Sequence, residues 1–330
     1  MGLEIRGSDI VVVGAGRSGL ALARYLAAAG ARVTLSDQRR AAALAGLEEL
    51  AAAGVAFDLG GHSEARFAAA DLIVISPGVP LNLPALAAAA GRGTPIIGEI
   101  ELAFQQLSAP LVAVAGTNGK STVTTLIGLI FSHWGKKTFV GGNLGTPLIS
   151  AAAEKDWEWI VAEVSSFQLE AIRTFRPRCG LLLNITEDHL NRYGTMENYI
   201  AAKARIYENQ TAGDFCVLNY DNGITRGMAK QPRSRIIWFS RQVELDFGVF
   251  IEEGNIVSAE DDGKHVICRA DEVKIPGVHN LENALAATAL ARCYRIPPDV
   301  IRHTLMTFPG VEHRIEFVRE LDGVRYINDS

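Results

Sequence analysis

Residues 111–134 read LVAVAGTNGKSTVTTLIGLIFSHW, and much of the fold follows from them. Leu111–Ala115 is an unbroken apolar run of strand type that stops at Gly116. Beyond Lys120, residues Val123, Ile127, Ile130 and Trp134 recur at spacings of four, three and four, the stripe of an amphipathic helix. Between strand and helix stand Gly116, Thr117, Asn118, Gly119, Lys120, Ser121 and Thr122. A glycine loop offering backbone amides, a lysine ammonium and a hydroxyl able to ligate Mg²⁺ is what a triphosphate needs. A strict G-x-x-x-x-G-K-[ST] loop would carry glycine at position 114, where this chain has Val114. The loop is a relative of that pattern, and ATP is its expected ligand.

Upstream, strand and helix alternate in the same way. Residues 10–13 form a β-branched run ending at Gly14, and a helical stretch with Leu22 and Leu26 on one face stops at Gly30. A strand over 31–36 ends at Asp37, and Leu72–Ile75 runs into the turn Ser76-Pro77-Gly78. Continuous apolar strands between helices imply a parallel sheet covered on both faces. Gly14-Ala15-Gly16-Arg17-Ser18-Gly19 fits G-x-G-x-x-G, with Asp37 in the place of the acid that holds a ribose in NAD enzymes. By itself this segment favours a dinucleotide, with another nucleotide or a purely structural turn as the alternatives.

Downstream, residues 159–164, 180–185, 215–219 and 235–239 read as further strands. Over 243–275, short alternating runs broken by Glu253-Gly254-Asn255 and Asp261-Asp262-Gly263 predict antiparallel hairpins. A helix starts near Asn280 with Leu281, Leu285 and Ala289 on one side, and a strand-like stretch over 314–327 follows Pro309-Gly310. Gly, Pro and Thr cluster at 91–98, where a boundary is expected. The expected organisation is α/β throughout. A Rossmann-like domain covers 1–95 and a P-loop-type domain with a small antiparallel β element covers 96–310. A third domain begins at 311.

A chain of 330 residues suits two domains and a fragment of a third. Its formal charge of −5 argues against nucleic acid as the main partner. Cys179, Cys216, Cys268 and Cys293 form no C-x-x-C pair, which suits buried thiols in a reducing cytosol. No apolar run reaches the roughly 18 residues needed to cross a bilayer, and the start shows no signal peptide. The expectation is a cytoplasmic protein without membrane insertion.

The loop G-T-N-G-K-S-T, running on to Thr124 and Thr125, resembles that of the Mur ligases and folylpolyglutamate synthetases. Gly141-Gly142-Asn143-Leu144-Gly145, the run S-S-F-Q-L-E over 165–170, and N-I-T-E-D-H-L over 184–190 resemble the D-glutamate-adding Mur ligases. So do 201–207, 277–284, His313-Arg314 and 327–330. The resemblance implies ATP-dependent amide formation that adds D-glutamate to UDP-N-acetylmuramoyl-L-alanine through an acyl phosphate, in peptidoglycan precursor synthesis.

It also implies roles. The first domain would hold UDP, not NAD, through Gly14, Gly16, Arg17, Ser18, Gly19, Asp37, Gln38, Arg39, Ser76, Pro77 and Gly78, with Asn143 and Ser165 on the muramoyl-alanine side. Arg39 either sets a charge beside the diphosphate or is a solvated surface arginine. Lys120 would contact the β- and γ-phosphates, and Ser121 and Glu163 would ligate one Mg²⁺. Apolar neighbours of Glu163 imply burial, where a lone charge is costly. His189 would ligate a second Mg²⁺; without the resemblance a lone histidine reads as structural. Lys203 is either a solvated lysine or, as the resemblance implies, a carbamate that also ligates metal. Asn280 and Asn283 would meet adenine and ribose, although Asn280 alone could cap its helix. Arg314 and Asp329 would complete the ATP pocket. Only about twenty residues of a D-glutamate-binding third domain would lie in this chain, so little turnover is expected of it alone. The alternatives are another Mur or folylpolyglutamate-type ligase, an NAD-dependent oxidoreductase fused to an ATPase, and a nucleotide-binding regulatory module.

Overall fold

The short β-branched runs become strands of two mainly parallel sheets in the computed structural model, which describes residues 4–311, 316–321 and 324–328. The chain divides into two compact units. One takes the chain up to Ala109 together with Gly141–Trp157 and Val164–Arg176; the other takes Pro110–Val140, Glu158–Glu163 and the chain from Pro177 on.

The first unit alternates β1 (Asp9–Val13), α1 (Arg17–Ala28), β2 (Arg32–Asp37), α2 (Leu47–Ala52), β3 (Ala56–Leu59), α3 (Glu64–Ala69), β4 (Leu72–Ile75), α4 (Pro84–Gly91), β5 (Ile96–Gly98) and α5 (Glu99–Gln106). Its strands lie in the order β3-β2-β1-β4-β5, all parallel. β4 is buried along its whole length and β1 at all but its first residue, which is why both read as continuous apolar runs. The break expected between 95 and 96 falls inside this sheet, because Val74 of β4 pairs with Ile97 of β5. A three-residue strand framed by Pro95 and Gly98 leaves no periodicity to read. The return of 141–157 and 164–176 to this unit is likewise invisible in linear order.

The second unit carries β6 (Leu111–Ala115), α6 (Lys120–His133), β7 (Thr138–Gly142, its last two residues counted with the first unit), β8 (Trp159–Glu163), β9 (Cys179–Leu182), β10 (Phe215–Asn219), β11 (Arg235–Phe239), β12 (Gly248–Glu252), β13 (Asn255–Glu260) and β14 (Gly263–Arg269). The sheet order is β14-β13-β12-β11-β10-β9-β6-β8-β7. Pairings from β8 through β6 and β9 to β11 are parallel, and β12-β13-β14 form the antiparallel hairpins expected over 243–275. On α6 the apolar stripe is buried at Val123, Leu126, Ile127, Ile130 and Phe131, while Trp134 ends the helix half-buried.

The helix Val278–Cys293 departs from its reading as one-sided. It is buried at every residue from Asn283 to Ala291. Alanines at 284, 286, 287, 289 and 291 give it a thin surface that other elements approach from all sides. β9 stops at Leu182 and not at 185, because the chain turns there to bring Asn184 to the glycine loop. Residues 314–327, read as one strand-like stretch, contain the antiparallel pair β15 (Glu316–Leu321) and β16 (Val324–Asn328). Cys179, Cys216 and Cys268 are buried and Cys293 is half-buried, all with free thiols. No helix among the described residues is long and apolar enough to cross a membrane.

Candidate active site

In the first unit the glycine loop joins β1 to α1 at the carboxyl edge of the sheet, beside the point where strand order reverses between β1 and β4. A Cβ on Gly19 would sit 1.7 Å from the Gly14 carbonyl oxygen, so only glycine lets helix and strand cross there. Ser76, at the end of β4, donates its hydroxyl to the Gly14 carbonyl at 3.0 Å. Asp37 Oδ2 accepts the Ala15 amide at 2.6 Å, and its carboxylate takes Arg39 Nε and Nη2 at 3.0 and 2.8 Å. The Arg39 guanidinium and the Ala15 and Arg39 amides hold the Asp37 carboxyl well below the usual range despite its burial. Both oxygens are thus engaged within the protein, unlike an acid poised for a ribose. Arg39 remains a surface arginine, its side chain about half-exposed and paired with Asp37. Arg17, Gln38 and Gly78 are exposed around this edge, with Gly16 heading α1, while Ser18 and Pro77 are half-buried.

Further along the same unit, Asn143 is exposed in the turn after β7. Ser165 caps the short helix Ser166–Leu169 in a reciprocal box with Gln168. Gln168 Oε1 accepts the Ser165 amide at 2.8 Å. The S-x-x-Q spacing announces this box in the sequence.

In the second unit the loop after β6 is braced by residues far away in sequence. Asn184 Oδ1 accepts the amides of Thr117 and Asn118 at 3.2 and 2.9 Å, and its Nδ2 donates to the Asn118 carbonyl at 3.1 Å. Two loop amides of the expected phosphate nest therefore face the protein. The first turn of α6, whose amides lack intrahelical carbonyls, supplies the positive end that suits an anion. Lys120 Nζ donates to the Thr117 carbonyl at 2.8 Å. Lys203 Nζ donates to the Gly116 carbonyl at the same distance and lies 4.7 Å from the Tyr199 ring centroid. Lys203 is only 2 % exposed, so the solvated-lysine reading is overturned. Burial and the nearby Lys120 ammonium pull it down to about 7, against a partial lift from Asp188.

Ser121 and Glu163 are both buried, at the head of α6 and at the end of β8. Glu163 pairs in register with Val114 on β6, one strand from the loop. His189 sits exposed in a left-handed turn, 3.5 Å from the Asp188 carboxylate, with its ring edge-on to Tyr199. Lys120, Ser121 and Lys203 are gathered at one loop, with Glu163 on the neighbouring strand.

Beside the loop lies a cavity of about 500 Å³ reached by Asn118, Gly119 and Thr122, and walled by Asn184, Asp221 and Asn283. It opens at the carboxyl ends of parallel strands, as nucleotide sites in such sheets do. A Cβ on Gly119, itself at φ +84°, would fall 2.3 Å from Asn283 Oδ1. Asn283 donates to Asn280 Oδ1 at 3.2 Å, and Asn280 donates to the Pro276 carbonyl. Gly277, not Asn280, heads that helix, which removes the capping alternative. Arg314 and Asp329 lie outside the described residues. Asn184, Tyr199 and Asp221 also line or brace the site: Asn184 lies in the N-I-T-E-D-H-L run, Tyr199 stands one helical turn before Lys203, and no local signal marks Asp221.

The Mur ligase middle domain family matches residues 114–291, and the Mur ligase MurD-like N-terminal domain family matches residues 8–98. The chain belongs to the Mur ligases. Within them, the UDP-N-acetylmuramoylalanine–D-glutamate ligase of Pelotomaculum thermopropionicum is 52% identical over 97% of this chain and 71% of its own length. The enzyme of that name from Syntrophotalea carbinolica is 48% identical over 99% of this chain and 72% of its own length. Among solved structures, a murein peptide ligase of Psychrobacter arcticus superposes with a TM-score of 0.61 at 20% identity, covering 98% of this chain and 73% of that one. The UDP-N-acetylmuramate–alanine ligase of Thermotoga maritima gives 0.57 at 22%, with coverages of 98% and 74%. These two likenesses establish the shared fold.

Proposed function

We infer that this chain serves ATP-dependent amide formation, adding D-glutamate to UDP-N-acetylmuramoyl-L-alanine in peptidoglycan precursor synthesis. The observation that carries this is relatives of that activity at about half identity along nearly the whole chain. The convergence of Lys120, Ser121 and Lys203 on one loop agrees with it. In this reading the substrate carboxylate attacks the γ-phosphorus of ATP and ADP leaves. The amine of D-glutamate then attacks the acyl phosphate carbon, inorganic phosphate departs, and the amine gives up a proton.

Lys120 and the head of α6 hold the phosphates and offset charge that grows as two anions meet. Ser121 and Glu163 fit a hard divalent ion, being buried oxygen donors at the loop and the adjoining strand. Mg²⁺, when bound, neutralises phosphate charge. Lys203 does not fit a metal as an ammonium. Its depressed affinity for a proton favours the neutral amine, which adds CO₂ and releases a proton to become an anionic carbamate. His189 and that carbamate would hold a second ion. The edge at Gly14–Gly19, Asp37–Arg39 and Ser76–Gly78 takes the uridine diphosphate, and Asn143 and Ser165 the muramoyl-alanine. The proposed domain reading keeps UDP-substrate binding in the N-terminal part and ATP binding in the central part.

Calorimetric titration of the 330-residue chain tests this. It should bind both UDP-N-acetylmuramoyl-L-alanine and Mg-ATP. Lys120→Ala should weaken Mg-ATP by about 10–100-fold, as loss of a charged hydrogen bond predicts, and leave the UDP-sugar untouched. Binding of neither ligand by the wild type would overturn the reading. For Lys203, labelled bicarbonate should give a carbamate carbon resonance that Lys203→Ala removes.

A further inference from the structure

Two glutamates in the first turn of α5 are buried, Glu99 at 1 % exposure and Glu101 at 0 %. Glu101 is saturated. Its oxygens accept the amides of Arg173, Thr174 and Phe175 at 2.8 to 3.0 Å and the Thr174 hydroxyl, so it closes a turn of the chain. Glu99 is placed otherwise. Its Oε1 accepts the Ile149 amide at 2.8 Å, while its Oε2 meets no donor within hydrogen-bonding distance. The Gln168 side chain and the Leu148 amide also face it, and burial pushes the carboxyl up to about 7. A buried carboxyl with an unfilled oxygen is costly, and an apolar side chain would fill the space at less cost.

What Glu99 touches gives the reason. Ile149 closes the segment that carries Asn143, a segment whose turn is fixed by Gly142 donating its amide to the Thr146 carbonyl. Gln168 fixes Ser165, taking its amide at 2.8 Å and its hydroxyl at 3.2 Å, while Ser165 Oγ accepts the Gln168 amide at 3.3 Å. One carboxyl therefore stands between the only two first-unit segments outside the Rossmann-like edge that bear proposed substrate contacts.

We propose that Glu99 is a positioning residue for the UDP-sugar substrate, setting the Asn143 turn through Ile149 and the Ser165 cap through Gln168. This rests on the reading that Asn143 and Ser165 face that substrate. Glu99 itself touches no reacting atom. Its contribution is the fixed geometry of two loops whose polar groups would otherwise be aimed by their own flexible backbone.

The test is titration of the whole chain with UDP-N-acetylmuramoyl-L-alanine and, separately, with ADP. Glu99→Met should melt cooperatively, bind ADP within about twofold of wild type, and bind the UDP-sugar at least about tenfold more weakly, as expected where a buried donor loses its acceptor. Glu99→Gln, which keeps an acceptor for Ile149, should recover the UDP-sugar to within about threefold. A Glu99→Met protein with wild-type UDP-sugar affinity overturns the inference, as does an equal loss for both ligands, which would mark general damage. Should Glu99→Met fail to fold, Glu99→Thr, smaller and polar, takes its place under the same two outcomes. If the wild type binds ADP but not the UDP-sugar, the substrate reading fails and takes this inference with it; an indifferent Glu99 variant sinks the inference alone.

Discussion

Asn184 shows what a single side chain decides here. Its carboxamide accepts two amides of the loop and donates to one of its carbonyls, so it does for the loop what a neighbouring strand does in a sheet. Asn184→Ala should weaken Mg-ATP about tenfold, because the Asn118 amide and carbonyl lose their partner while Thr117 keeps only the main-chain carbonyl of residue 184. Titration with and without the UDP-sugar would read this, and an unchanged nucleotide affinity would make the brace incidental. Asp37 makes the complementary point. Its place at the end of β2 was legible in the sequence, but its bonds to Ala15 and Arg39 were not, since they depend on a turn two residues long and a loop 22 residues upstream. Lys203 was open between solvent and site for a like reason. Only the packing of its helix against the loop after β6 buries it.

At the scale of elements, α6 and the helix Val278–Cys293 meet where Gly119 faces Asn283. Gly119→Ala must accommodate both a left-handed backbone and a clash, and should cost about 1–3 kcal/mol in urea unfolding along with nucleotide binding. A variant as stable as wild type would mean that the two helices yield easily. In α5 the pH dependence of Glu99 has a definite sign. Its folded carboxyl is raised to about 7 from an ordinary 4.5 by burial, which outweighs the lowering effect of the Ile149, Gln168 and Leu148 donors. The folded state thus holds the proton more tightly than the unfolded chain. Stability should fall as pH rises from about 4.5 to about 7, and the loss is complete above that. Glu99→Gln should remove this fall, gaining up to about 3 kcal/mol on wild type between pH 5 and pH 8 in denaturant midpoints. Parallel curves for the two proteins would contradict it. Elements with strong periodicity, such as α6 and β12–β14, were readable in advance. The short β5 and the glutamate-headed α5 were not, since neither carries a run long enough to show a period.

For the whole molecule, the expected ligands should each raise the melting temperature, by about 2.7 kcal/mol of stabilisation at a hundred times the dissociation constant, or a few degrees. Mg-ATP and UDP-N-acetylmuramoyl-L-alanine should both do so in thermal scans, and NADH should not. A shift with NADH alone would reopen the dinucleotide reading of Gly14–Gly19. The sequence by itself determined the two phosphate-type loops, the parallel α/β character and the membership that several separate motifs carry, because each is written in contiguous residues whose spacing has a physical meaning. Tertiary structure decided which chain segments share a unit, sending 141–157 and 164–176 back to the first. It also decided which polar groups end buried, as Glu99 and Lys203 do, and which brace a distant loop, as Asn184 does. Such contacts join residues dozens of positions apart, and their energy comes from desolvation and geometry that no local pattern records.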